Sequence, residues 1–248
     1  MAGHSKWANI KHRKAKQDSI KGKRYTKLIR EITVSAKLGG PEADSNPRLR
    51  AALDKALDAN MSRDVIDRAI KRGVGGMEGD MLEEVRYEGY GPGGVAVMVD
   101  CMTNNRNRTV AEVRHAFTKC GGNLGTDGSV AYLFNQQGQL MFAPGVDEER
   151  LMEMALEAGA DDIIVNDDKS VEVYTAPEQF LAVKKALSQD GFHADQSEIT
   201  MAAKLQVPVN EKEAAEKLMR LIDMLDELDD VQQVYSNADI PEEMLAAL

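Results

Sequence analysis

The chain has 248 residues, enough to bury more than one core, so two or three small domains are expected. Its 43% hydrophobic and 29% charged composition is that of an ordinary globular protein, and no apolar run approaches the roughly 18–20 residues a membrane span needs. The formal charge of −10 is unevenly laid: residues 1–72 hold 18 of the 31 Lys/Arg but 8 of the 41 Asp/Glu, leaving 13 against 33 in residues 73–248. Phosphate should be repelled by the rear of the chain, so any contact with nucleic acid must be led by the front.

The first thirty residues, MAGHSKWANIKHRKAKQDSIKGKRYTKLIR, carry ten Lys or Arg against Asp18 alone. A dense positive run with an aromatic residue is the footprint of a polyanion-binding arm. The candidate contacts are His4, Lys6, Trp7, Lys11, His12, Arg13, Lys14, Lys16, Lys21, Lys23, Arg24 and Lys27. Helical phasing does not gather Lys6, Lys11, Arg13, Lys14, Lys21, Lys23 and Arg24 on one face. That favours tracking of the backbone over a recognition helix reading base edges. Trp7 and Tyr25 suit stacking on exposed bases, the alternative being that Trp7 pins the arm to the helices that follow. No apolar h-region follows the basic start, which therefore does not read as a secretory signal.

Tyr25, Leu28, Ile29, Ile32 and Ala36 then mark one face of a helix, stopped by Gly39-Gly40-Pro41. Asn46 and Pro47 open a second helix with the stripe Leu49, Ala52, Leu53, Ala56 and Leu57. Ser62 opens a third, with Val65, Ile66, Ala69 and Ile70 inward and Gly73 as its stop. These three helices form a small bundle. Arg48, Arg50, Lys55, Arg63, Arg68, Lys71 and Arg72 lie on its outward side, mixed with acids. Most read as a solvated face, and Lys71-Arg72 beside the glycine is the candidate exception.

Past the glycine-rich link at Gly75, Gly76 and Gly79 the period changes. Glu84–Tyr90 and Val95–Cys101 read as strands joined at Gly91-Pro92-Gly93-Gly94, Arg108–Lys119 as a helix and Ser129–Phe134 as a strand. Strand Gln139–Phe142, helix Asp147–Glu157, strand Asp162–Val165, strand Ser170–Thr175, helix Glu178–Gln189 and strand Ala194–Met201 follow. That order is the ferredoxin-like split βαβ arrangement. A strand at Lys204–Val207, a helix at Glu211–Leu228 and a strand at Val231–Tyr235 complete the chain. One helix is missing from the first unit and the tail has no sheet of its own, so the economical solution returns the tail to the first unit.

Gly89–Gly94 matches GxGxxG, yet a strand follows where a dinucleotide site needs a helix. Gly121–Ser129 lacks a P-loop lysine and reads as a connection between helix and strand. No GxSxG or HExxH motif is present, and no nucleophile, base and orienter assemble; no enzyme, cofactor or small-molecule substrate is expected. Cys101 and Cys120 lack metal-ligand spacing and point to a reduced, cytoplasmic setting. Thr103–Arg108 is a polar loop between strand and helix; Arg106, Arg108 and Arg114 there are candidates for a second phosphate contact.

Met1–Ala15, Gly22–Lys27, YEGYGPGG at 87–94, NRNR at 105–108, EVRH at 112–115 and Gly121–Gly128 together resemble the YebC/PmpR family over essentially the whole chain. The resemblance implies an α+β protein with an N-terminal three-helix domain and two ferredoxin-like α/β domains, the second inserted into the first. The expected boundaries are 1–78, then 79–134 with 203–248, and 135–202. It further implies a non-enzymatic DNA-binding regulator of gene expression. The family's relatives, a mitochondrial translational activator among them, suggest the alternative of a translation factor that binds ribosomal RNA and relieves stalling at proline-rich stretches.

Overall fold

A computed structural model describes residues 21–75 and 82–246. Helices α1 (Lys21–Gly39), α2 (Pro47–Asp58) and α3 (Arg63–Val74) bury the expected stripes against one another, with Ile32, Ala36, Leu49, Ala52, Ala56, Met61, Ile66 and Ala69 as their core. Asn46 organises the first corner. Its side-chain oxygen accepts from the Leu49 amide at 3.0 Å, capping α2, while its amide donates to the carbonyls of Ser35 and Gly40, both at 2.8 Å. One buried side chain thus starts one helix and ties off the one before it.

Two expectations for the bundle fail. Leu57 is 52% exposed, because the α2 stripe drifts off the contact face in its last turn. Gly73 is not a stop: α3 runs on to Val74, and Gly75 follows as its cap. A Cβ at Gly73 would stand 2.4 Å from the Thr33 carbonyl oxygen, so glycine is there to let α1 and α3 touch.

Strands β1 (Glu83–Tyr90) and β2 (Ala96–Thr103) form an antiparallel hairpin through a 3₁₀ turn at Pro92–Gly94. Gly93 (φ 75°) and Gly94 (φ 73°) supply the left-handed conformations this turn requires. Helix α4 (Arg106–Lys119), capped by Asn105, leads to the two-residue strand β3 (Asn123–Leu124). Ser129–Phe134 is not a strand. Ala131–Leu133 is a 3₁₀ turn, because the backbone N–H groups of Gly128, Val130 and Ala131 are taken by the Glu88 carboxylate at 2.7–2.8 Å. The next strand, β4 (Phe134–Phe142), starts at that point and is longer than expected.

Then come α5 (Glu148–Glu157), β5 (Asp162–Val165), β6 (Val171–Thr175), α6 (Phe180–Gln189) and β7 (Gln196–Ala203), with sheet order β5-β6-β4-β7, all antiparallel. This is the ferredoxin-like arrangement. Of the expected Lys204–Val207 strand only β8 (Val207–Pro208) pairs, in parallel with β10 (Ala238–Asp239). Helix α7 (Lys212–Asp226) and β9 (Val231–Ser236) return to the first unit, giving sheet order β3-β1-β2-β9, and α8 (Glu242–Ala246) follows. The second unit is therefore threaded into the first. Strand positions in the two sheets correspond, but in the first unit β1 comes ahead of the βαβ crossover that it lies within.

Strand β2 is buried on both faces. Val95, Val97, Val99 and Cys101 pack under α4 and α7 with Phe117, Leu218 and Leu221. Ala96 and Met98 face the other way, against Val130 and Phe134, with Met201 and Ala203 of β7 alongside. The strand reads as a near-continuous apolar run because neither face meets water.

Candidate nucleic-acid interface

Of the contact residues read from the sequence, His4, Lys6, Trp7, Lys11, His12, Arg13, Lys14 and Lys16 lie outside the described residues, and Lys21 is described in its backbone alone. The others stand on two helices. Tyr25, Leu28, Ile29, Ile32 and Ala36 turn α1 toward the bundle core. Lys23, Lys27 and Arg30 fall at i, i+4 and i+7 on a different face. That face meets the corner where α7 turns into β9. Lys23 Nζ donates to the Glu227 carbonyl at 2.7 Å, and Lys27 Nζ lies 3.9 Å from the Asp226 carboxylate. Arg30 donates to the carbonyls of Met102 and Asp229 and, at 2.9 Å, to the Asp230 carboxylate.

The corner needs these cations. Helix α7 ends here with the negative pole of its dipole, and its last turn holds no basic residue. Asp223, Asp226, Glu227, Asp229 and Asp230 crowd the same place. Asp230 is buried, with 2% exposure, and accepts from Arg108 (2.6 Å), Thr109 (2.8 Å), Thr103 (3.0 Å) and Arg30. Burial works against its charge, but the hydrogen bonds from Arg108, Thr109, Thr103 and Arg30 win and hold its carboxyl below the usual range. Arg48, expected on the solvated side, is also taken: it forks to Glu31 and Glu84 at 2.6–3.2 Å, joining α1, α2 and β1. The hydrogen bond from Arg48, larger than the opposing effect of burial, lowers the Glu84 pKa.

Lys71 and Arg72 are exposed near the C-terminal end of α3. Tyr25 near the start of α1 reaches the Ala59 carbonyl just before α3, and Gly73 meets Thr33 farther along, so the two helices run side by side in the same direction. Lys71 and Arg72 therefore lie toward the opposite end of the bundle from Lys23. Arg24 is exposed. Of the second cluster, Arg108 is committed to Asp230, Arg106 is 3.9 Å from Glu83 with its side chain 64% exposed, and Arg114 is exposed. Within the second glycine-rich run the backbone donors are filled from inside. Burial opposes ionisation of Glu88, but bonds from Val130, Gly128 and Ala131 outweigh it and lower its pKa. Among the described residues no cluster of His, Cys, Asp or Glu could hold a metal ion, and no helix is long and apolar enough to cross a membrane.

A family model for the TACO1/YebC protein N-terminal domain matches residues 5–76, and one for the TACO1/YebC second and third domain matches residues 82–238. The chain belongs to the TACO1/YebC family. A probable transcriptional regulatory protein of Pseudomonas fluorescens (strain Pf0-1) is 64% identical over 248 residues, 100% of each chain. The transcriptional regulatory protein PmpR of Pseudomonas aeruginosa is 62% identical over the same span, again 100% of each. The crystal structure of the conserved hypothetical protein Aq1575 from Aquifex aeolicus matches with a TM-score of 0.84 at 50% identity, covering 96% of this chain and 98% of that one. TACO1/YebC membership thus accounts for the motifs that run from the basic start to the glycine-rich turns. The acidic α7–β9 corner and its α1 partners were missed in the sequence, although the Lys23, Lys27, Arg30 spacing was there to be seen.

Proposed function

We propose that this TACO1/YebC protein is a non-enzymatic regulator of gene expression that grips nucleic-acid phosphates through its basic N-terminal segment, with DNA as the polymer. The observation that carries this is the charge division: 18 Lys/Arg against 8 Asp/Glu in residues 1–72 and 13 against 33 beyond them. Exposed Arg24 continues the basic run onto α1, and exposed Lys71 and Arg72 offer a separate cationic contact toward the other end of the bundle. Arg106 and Arg114 offer a weaker second contact; Arg108 serves Asp230 instead. The names of the Pseudomonas relatives support a role in transcription. Contact by phosphates alone would position the protein without reading sequence, and specificity must then come from bases or from the shape of the polymer.

The test is binding of full-length protein to a promoter-derived duplex, a random duplex of equal length, and purified ribosomes. Tighter binding of the promoter fragment by about 10³-fold, the usual margin of a specific site, supports the DNA reading. Co-sedimentation with ribosomes, with weak and indifferent binding to both duplexes, moves the site to ribosomal RNA and a role in translation.

A further inference from the structure

Resting on that proposal, we infer that the acidic corner between α7 and β9 is a built-in competitor: it occupies Lys23 and Lys27 in the free protein, and nucleic-acid phosphate displaces it. The three cations of the α1 face are not held alike. Arg30 reaches a buried carboxylate and two main-chain carbonyls. It is the fixed end, because leaving Asp230 unpaired in its buried site is costly. Lys23 Nζ donates to the Glu227 carbonyl in an exposed bond, and Lys27 Nζ stands 3.9 Å from the Asp226 carboxylate, at the outer limit of an ion pair. An exposed hydrogen bond and an ion pair at that distance hold less firmly than the bond from Arg30 to a buried carboxylate, and salt screens their exposed part.

The corner presents what a phosphate backbone presents, anionic oxygens in series beside the negative end of a helix. Asp223 lies one turn before Asp226 and borders the same cleft as Lys23 and Lys27. A polyanion led in by the N-terminal segment meets two lysines already engaged by the protein, one by a carbonyl and one beside a carboxylate, and gains them only by exchange. Binding and docking are then linked reciprocally: whatever loosens the corner strengthens binding, and bound nucleic acid frees the start of α1 from the α/β body while Arg30 stays as the pivot.

The experiment compares the full-length double variant Asp223→Asn/Asp226→Asn with Asp161→Asn/Asp190→Asn, an equal charge change on the inserted unit. The probes are a short fluorescein-labelled DNA duplex and an RNA hairpin of matching length. At low salt the corner variant should bind about two- to five-fold more tightly than the control, with the gap closing as salt rises. Equal affinities overturn the inference. Amide hydrogen exchange over residues 23–30 gives a second readout. Without ligand it should be faster in the corner variant than in the control, and bound duplex should produce the same rise in the wild type. A duplex that binds yet leaves this exchange unchanged overturns the exchange of partners. If the wild type binds neither probe the functional proposal fails on its own, and equal ligand-free exchange in the two variants then overturns the docking as well.

Discussion

Arg30 and Asp230 stand 200 residues apart in the chain and meet in a hydrogen bond of 2.9 Å. The carboxylate gathers α1, β2, α4 and the turn before β9 at one point, since Thr103, Arg108 and Thr109 reach it too. A single buried charge therefore joins the helical bundle to the returning tail. It is tolerated inside because each of its oxygens is hydrogen-bonded and two guanidinium groups oppose it.

Replacing Asp230 by Ala leaves two hydroxyls and two arginines without their shared acceptor. Arg108, with its side chain 45% exposed, can recover water, so the expected destabilisation is about 3 kcal/mol, at the low end for a broken buried pair. Asp230→Asn keeps acceptor capacity for the threonines and should be destabilised less. Urea unfolding of the three proteins checks the order, and an Asp230→Ala midpoint equal to wild type would show that the carboxylate is not a hub.

Acid should weaken the same junction. Asp230, Glu84 and Glu88 all have folded pKa values below their ordinary ones, so each contributes stability that is complete above the usual carboxylate range of about 4 and disappears as pH falls through the lowered value. Thermal stability measured from pH 7 downward should stay level until about pH 4–5 and then fall. For Glu84, whose side chain is 47% exposed, solvent screening makes the contribution small, so Asp230→Asn should flatten the acid limb more than Glu84→Gln.

Gly73→Ala sets two effects against each other. Alanine in a helix is better than glycine by about 1 kcal/mol, whereas overpacking costs about 1–3 kcal/mol. Here the obstacle is a backbone carbonyl 2.4 Å away, which cannot rotate aside, so the variant should be destabilised by about 1–2 kcal/mol net. Chemical denaturation measures this. A stabilised Gly73→Ala would show that α1 and α3 do not touch there.

Glu88→Ala should open the turn at Gly128–Ala131. Three backbone N–H groups are deprived of their acceptor together, and water can replace it only where the loop yields. Exchange at Gly128, Val130 and Ala131 should rise while β1 and β2 keep their protection. Unchanged exchange at these amides would contradict the role given to the carboxylate.

What could be read from the chain was what local chemistry decides. Asn46-Pro47 announced α2 because the cap and the fixed φ act within three residues, and the alternation from β4 to β7 carried the split βαβ order. What could not be read depended on partners far away. Ser129–Phe134 has strand-like residues, but Glu88, 42 and 43 positions earlier, claims the amides of Val130 and Ala131. Gly73 looked like a stop because only the neighbouring helix reveals why a Cβ is excluded. The front cations were weighed by density, whereas Lys23, Lys27 and Arg30 matter by spacing, and their acidic partners are about two hundred residues downstream.

The proposed function requires that polyphosphate engage this protein through its leading basic segment. The direct measurement is the salt dependence of DNA binding by full-length protein and by a variant with Lys11, Arg13, Lys14 and Lys16 changed to Gln. The variant should bind more weakly, and its slope of log K against log salt should be shallower by about 0.9 for each duplex phosphate that it no longer neutralises. Unchanged affinity with an unchanged slope would contradict it.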